Sequence, residues 1–534
     1  MPKTMTRPHA PVAWSLTLHL LLASCTARHH ERRADEVARL ILSESEALLD
    51  SRLEIARRPG DDSGVVLVPG ESPEEPMRPE PAPRAEARVL DLPQALELAV
   101  RGNRDHKARR EALYLEALSL ANVRHSFAPQ LSLALGYLFS DADGLPESHG
   151  VGIAAGVGQR LPWGGEVSVK LNSDFSESAG DGSFSTSAGI TLTQPLLRGA
   201  GAAISHESLI QAERDLVYAI RSFELQREDF SIEVARRFYD LVQRRQTIEN
   251  LERNLEGLVF GRRQAEALFQ VGRKNELEVL RARRSELGAR DTLIGAQEDN
   301  LVALDRFRIF LGLPEEVPVD VQPDAPAYIE LDFDVDQAIE VALANRLDLL
   351  NRQQQLEDAR RGLRIAEDGL RPDLTLTAGF GTTSSPDPSF QQQAFQRDAI
   401  TAGLSLGLPV DRVGEANGYR GAQVGLVQAQ RSFEEFRDNL IVDIASAFRE
   451  LERRKQSLDI QQELISGQAK NVKIAQLRFE QGDFSNRDVT EAKEALLEAQ
   501  NRLIDERVNY EISRLGLLRD LGILFIDDRG MFKE

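Results

Sequence analysis

A mainly α chain with a β-barrel segment, written twice as one helix–strands–long-helical-hairpin unit, is the fold class predicted by three features of this sequence. The first is an internal repeat. The second is a set of alternating apolar runs of strand length, opened in each copy by a proline. The third is a series of nearly proline-free stretches with seven-residue apolar spacing, too long for a compact single domain.

In chain order, residues 1–24 read as a signal peptide. Lys3 and Arg7 make a basic start, and Val12 to Ala23 form an apolar stretch interrupted by His19. Leu22-Ala23-Ser24-Cys25 resembles a bacterial lipobox, in which small residues admit the peptidase and the thiol accepts a diacylglyceryl group. The alternative is an ordinary secretory signal with the cysteine incidental. Cys25 is the single cysteine, so no internal disulfide forms. Thr26 follows it, and the lack of an acidic residue there resembles lipoproteins sent to the outer membrane.

Residues 25–90 read as a lipidated segment and a linker. Thr26 to Arg58 is charged and helical, with Val37, Leu40, Ile41, Leu48 and Leu49 as a weak apolar stripe, and Pro59-Gly60 ends it. Pro73, Pro76, Pro79, Pro81 and Pro83 then bar regular structure.

The repeat fills most of the remainder. Gln94-Ala95-Leu96-Glu97-Leu98-Ala99 recurs as Gln337-Ala338-Ile339-Glu340-Val341-Ala342, an offset of 243 that persists through Pro129-Gln130-Leu131 and Pro372-Asp373-Leu374. Gly189-Ile190-Thr191-Leu192 matches Gly403-Leu404-Ser405-Leu406 at 214, and Phe269 and Gly272 match Phe479 and Gly482 at 210. The units predicted are helices over 91–129 and 335–372, strands over 130–195 and 373–409, and helical hairpins over 196–313 and 410–524. Residues 314–334 link the copies and 525–534 form a tail.

Leu131, Leu133, Leu135, Tyr137 and Phe139 fall on one strand face, with Ser132, Ala134 and Gly136 on the other. Leu374, Leu376, Ala378 and Phe380 repeat the pattern, and the return strands carry Ile190 and Leu192, then Ile400, Ala402, Leu404, Leu406 and Leu408. Runs of about 9–11 residues are long enough to cross a bilayer at a tilt. The first copy also holds 29 residues that the second lacks. Alternation on both sides of Leu161-Pro162-Trp163-Gly164-Gly165 makes 151–176 a β-hairpin, placed either in the barrel wall, the preferred reading, or as a flap beside it.

Leu209, Leu216, Phe223 and Phe230 fall seven apart, with Ile220, Val234, Phe238 and Leu241 filling the seam. From about His206 to Gln270 this makes a helix of roughly 95 Å. Gly272 and Gly482 mark the far turns, and Gly312 and Gly522 the returns.

Composition excludes several classes. Lys+Arg is 65 against Asp+Glu 85, a formal charge of −20, which disfavours nucleic acid. Aromatics are only 6%, which suits long helices better than a dense sandwich. Beyond the signal there is no apolar run of about 18 residues for a spanning helix, whereas barrel strands hide from hydropathy averages. No catalytic constellation, metal cluster or cofactor motif emerges. His29-His30 reads as a solvated tail in preference to a metal pair. Gly199-Ala200-Gly201 reads as a strand-to-helix hinge in preference to a dinucleotide loop, because the strand before it alternates.

The duplicated unit, together with Pro129-Gln130-Leu131-Ser132-Leu133, Gln194-Pro195-Leu196 and Arg478-Phe479-Glu480-Gln481-Gly482, resembles the outer-membrane efflux (TolC-like) family from about Leu92 to Leu524. The resemblance implies a homotrimer whose strands close one barrel in the outer membrane and whose helices form a tube through the periplasm. Family members contribute four strands per protomer, so the extra hairpin predicts six here. It further implies a passive, non-enzymatic conduit of a tripartite efflux or type I secretion system, partnered by a periplasmic adaptor and an inner-membrane pump. By the same resemblance, Asp488 and Glu491, with Glu278 in the first repeat, ring a periplasmic constriction. A solvated helix face is the alternative for these carboxylates. Val271, Gly272, Arg273, Gln481, Gly482 and Asp483 fall at adaptor-docking tips. Phe484 departs from the pattern, since some members carry a basic latch residue there. The rival reading of the whole chain is a periplasmic coiled-coil structural lipoprotein without a pore.

Overall fold

The computed structural model describes residues 27–48, 88–141, 147–178, 181–324, 326–331, 333–384, 387, 395–481 and 483–533. Cys25, the proline-rich linker and Gly482 lie outside them. The chain divides into two compact units.

The first unit comprises Met1–Leu53, Ala112–Ile220 and Asn351–Phe433. Its centre is one antiparallel sheet of six strands: β2 (Gln130–Ser140), β3 (Ser148–Arg160), β4 (Glu166–Ser178), β5 (Asp181–Pro195), β7 (Asp373–Ser384) and β8 (Phe395–Gly407), adjacent in that order. The 29-residue insert supplies β3 and β4, which lie between β2 and β5.

Register makes the sheet two-faced, because residues opposite one another point to the same side. One row runs Leu131, Val157, Val169, Ile190, Phe380, Ile400 across all six strands. Every member is exposed, from 38% at Val157 to 85% at Ile400. The adjacent row on the other face runs Gln130, Gly158, Ser168, Thr191, Gly379, Thr401. A bare apolar row on one face, with a row of glutamine, serine, threonine and glycine on the other, reverses the rule for water-soluble sheets, which bury the apolar side.

Helix α1 (Ala27–Leu48) belongs to this unit. It buries Ala38 and Ile41, and Glu44 pairs with Arg124 at 2.9 Å. Val37 and Leu40, expected in its apolar stripe, are exposed instead. His29 and His30, read as a solvated tail, lie on its first turn.

The second unit comprises Glu54–Glu111, Arg221–Leu350 and Glu434–Glu534. Strand β1 (Arg88–Leu90) pairs in parallel with β6 (Val319–Val321), and helix α2 (Leu92–Gly102) follows β1. Leu90, Leu96, Val234, Phe238, Leu241, Phe307 and Leu311 form the core around them. β6 falls within the stretch 314–334 expected to be linker. Its Val-Asp-Val alternation is too short to register as a period, and pairing with β1 is what makes it a strand.

The duplication is visible in structure. Asp91 caps α2 by accepting from Gln94 N at 2.8 Å, and Asp334 caps α7 (Val335–Asn345) by accepting from Gln337 N at 2.8 Å, 243 residues later. The starts of two more helices, α3 (Arg104–Ser126) and α8 (Leu347–Asp368), keep that offset, as do the starts of β2 and β7. After the short helix α4 (Ala202–Ser205) comes the first long helix, α5 (Glu207–Gln270), of 64 residues; α9 (Val413–Gln481) has 69. At 1.5 Å per residue these span about 96 and 104 Å. Leu216, Ile220, Phe223, Val234, Phe238 and Leu241 of the seven-residue seam are buried. The returning helices are α6 (Glu276–Phe310) and α10 (Asn486–Asp520), offset by 210 at both ends.

Glycine closes α6 for a steric reason. Gly312 has φ +74, donates to Ile309 O, and lies so close to Gly102 that a Cβ would stand 2.1 Å from its carbonyl oxygen. The tail is a small hairpin of β9 (Phe525–Ile526) and β10 (Phe532–Lys533), held by Arg227 donating to the carbonyls of Ile526 and Asp527.

Candidate functional site at the hairpin tips

The tips of both hairpins lie in the second unit. The first turn follows α5: Gly272, at φ +73, donates to Phe269 O, Arg273 N donates to Leu268 O, and Asn275 caps α6 by accepting from Glu278 N at 3.1 Å. Val271, Gly272 and Arg273 are exposed, as are Gln481 and Asp483 of the second turn.

At the second turn Asp488 folds back on its own helix start. Its Oδ2 accepts from Ser485 N at 2.8 Å and from Ser485 Oγ at 2.7 Å, one arm of a capping box. The Ser485 hydroxyl, and then its backbone N–H, hold the Asp488 carboxyl below the ordinary carboxylate range. Glu491 lies one turn on, exposed and paired with Arg487 at 2.6 Å. The i, i+3 spacing keeps Asp488 and Glu491 on one side of α10.

Glu278 is placed differently from these two. It is 8% exposed, its Oε2 accepts from Asn486 N at 3.1 Å and its Oε1 from Arg281 at 2.9 Å. Both of its oxygens are engaged and little of the side chain reaches the surface of the single chain.

Two lysines join the repeats beside it. Lys274 donates to Phe484 O at 3.2 Å and sits 4.7 Å from the centre of the Phe479 ring. Lys493 donates to Gly257 O at 2.8 Å, and burial lowers its pKa. Phe484 packs against a core of Ala475, Phe479, Val489 and Ala492, so the position two residues beyond Gly482 holds an apolar side chain.

Sequence reasoning missed one feature of α6. Leu280, Leu287, Ile294 and Leu301 fall seven apart and are all 53–56% exposed, a coiled-coil-like seam left uncovered among the described residues. The spacing was legible, and the exposure was not. Among the described residues no helix is long and apolar enough to cross a membrane, and no cluster of three or more His, Cys, Asp or Glu is set to hold a metal.

Comparison with known proteins accords with this architecture. The chain is 25% identical over 202 residues to the outer membrane protein TolC of Escherichia coli, covering 36% of this chain and 40% of that protein. It is 24% identical over 263 residues to the probable efflux pump outer membrane protein TtgC of Pseudomonas putida, covering 47% and 52%. The aligned regions thus span about half or less of these curated relatives. The solved structure of the outer-membrane channel OprN shares the fold at a TM-score of 0.61 and 18% identity, covering 83% of this chain and 94% of that one. The family pattern described as outer membrane efflux protein matches residues 122–313 and 338–522, one match in each repeat, and with well over half of its residues inside that pattern the chain belongs to the outer membrane efflux protein family.

Proposed function

We propose that three copies of this chain form an outer-membrane channel, anchored by lipid on Cys25, that serves as a passive conduit of a tripartite efflux or type I secretion system. The two-faced sheet is the observation that carries the reading. Its bare apolar rows suit lipid, and its opposite face suits a water-filled lumen. An open sheet edge in lipid leaves backbone groups unpaired, so the strands must close with those of other copies. The exposed seam of α6 asks for the same partners. Bundled with their copies, the long hairpins reach across the periplasm to an adaptor and an inner-membrane pump. The adaptor docks at Val271, Gly272, Arg273, Gln481, Gly482 and Asp483. Asp488 and Glu491, in three copies, make two acidic rings that favour cations. Glu278 holds the tip together behind them.

The test is single-channel recording of the purified protein in planar bilayers, beside Asp488→Asn/Glu491→Gln. Small cation-selective steps that lose selectivity in the variant support both pore and rings. Steps unaltered by the substitutions keep the channel and remove the rings. Folded trimers that conduct nothing, in either form, favour a coiled-coil tether.

A further inference from the structure

Resting on that channel reading, we infer that each chain gives six strands to the wall and that the barrel has eighteen, closed by pairing β8 of one copy with β2 of the next. The argument starts from the edges. β2 carries no charge and no proline, and all eleven of its residues are exposed. β8 is likewise free of both from Ala399 onward. Edge strands that stand alone are normally guarded by charge, proline or a bulge, and these lack all three over most of their length.

The duplication supplies the register. β8 repeats β5 at an offset of 214, and β2 repeats β7 at 243. Within the chain β5 already pairs with β7, antiparallel, with Ile190 opposite Phe380 and Leu192 opposite Ala378. Carried over by the two offsets, that junction sets Leu404 opposite Tyr137 of the partner subunit and Leu406 opposite Leu135 of the partner subunit. Both pairs are apolar and keep the bare faces in phase. A slip of one residue would turn every side chain to the wrong face.

The insert is a full part of this wall. Among the described residues β2 pairs with β3 and β5 pairs on that side with β4, so the hairpin, and not a direct β2–β5 pairing, carries the sheet across this point. Val157 and Val169 carry the apolar row across it, and Lys170, Asn172 and Asp174 lie on the polar side. Barrel diameter grows roughly linearly with strand number, so eighteen strands give about one and a half times the width of a wall without the insert, in the range that leaves an aqueous bore.

Two measurements on the full chain in phospholipid vesicles test this, with the unsubstituted protein, which carries only Cys25, as background. Single cysteines at Leu133, Val169, Leu404 and Asn172 take an environment-sensitive fluorophore, and acyl-chain-brominated lipid is the quencher. Quenching severalfold stronger at Leu133, Val169 and Leu404 than at Asn172 is expected. Quenching at Leu133 and Leu404 without Val169 overturns the six-strand wall and leaves the channel standing. Quenching at none of the four defeats the channel reading itself. For the closure, oxidised Leu404→Cys/Tyr137→Cys should give covalent species up to a trimer, whereas Ser405→Cys/Tyr137→Cys should not. The reverse pattern, or ladders beyond a trimer, overturns the register.

Discussion

The Glu278 carboxylate caps a helix that is not its own: it accepts from the backbone N–H of Asn486, the first residue of α10, 208 positions away. Its repeat counterpart is Asp488, at the same third position of the other returning helix, and that carboxylate turns back to its own cap residue Ser485. One extra methylene lets glutamate reach the neighbouring hairpin where aspartate stays local. The two repeats are thereby joined at the tip by a charged acceptor set on a helix start.

Glu278→Ala leaves the buried Asn486 N–H unpaired, at a cost of about 1–3 kcal/mol. We expect a lower melting temperature for the detergent-solubilised protein and a several-fold higher open probability in bilayers, with Glu278→Gln in between. An unchanged melting temperature would mean that the link carries no stability.

Asp488 should keep its charge into acid. Because Ser485 holds its carboxyl below the ordinary range, the charged form persists as pH falls through about 4, where a free carboxyl protonates. Its contribution to stability is fully present above the unfolded pKa and is lost only as pH drops through the lower folded one. Reversal potentials of the proposed channel should therefore remain cation-selective at pH 4, and collapse toward neutrality in Asp488→Asn/Glu491→Gln at pH 7.

The seam on α6 predicts assembly. Leu287→Glu/Ile294→Glu puts two carboxylates on the apolar seam and should convert the proposed trimers to monomers, seen by size-exclusion chromatography with light scattering. Helical circular dichroism should persist, since both residues are more than half exposed in the single chain. Intact trimers would show that the seam faces solvent.

Glu228 predicts a pH slope. Burial, then the charges of Glu224 and Asp229, push its pKa up to about 8 against the pull of Arg519 and Arg227, and its Oε2 has no hydrogen-bond partner among the described residues. From about pH 4.5 to 8 the unfolded chain releases this proton while the folded chain keeps it. Stability therefore falls as pH rises across that window, by up to about 1.4 kcal/mol per unit. Glu228→Gln should flatten the slope, gaining stability at pH 8 and little at pH 5. Parallel slopes in denaturant titrations of both proteins would refute this.

Much of the architecture was legible in the residues. The duplication, the alternation of β2 and β7 and the seven-residue seam of the first long helix are local patterns. A period is dictated by neighbours a few positions away. Gly312 and Gly272 were likewise readable as turns, because only glycine takes those positive φ values without strain.

Choice of partner is a different kind of information, and there the folded chain decided. Alternation in 151–176 showed a hairpin and left its neighbours open; the register placed it between β2 and β5. The spacing of Asp488 and Glu491 showed a shared face, but nothing local told that Glu278 would be buried against Asn486. β6 became a strand because β1 lies beside it, and Phe484 became part of a core because Phe479 and Val489 converge there. Periodicity states which side of an element is apolar, whereas what that side meets depends on residues hundreds of positions away, brought together only by the fold.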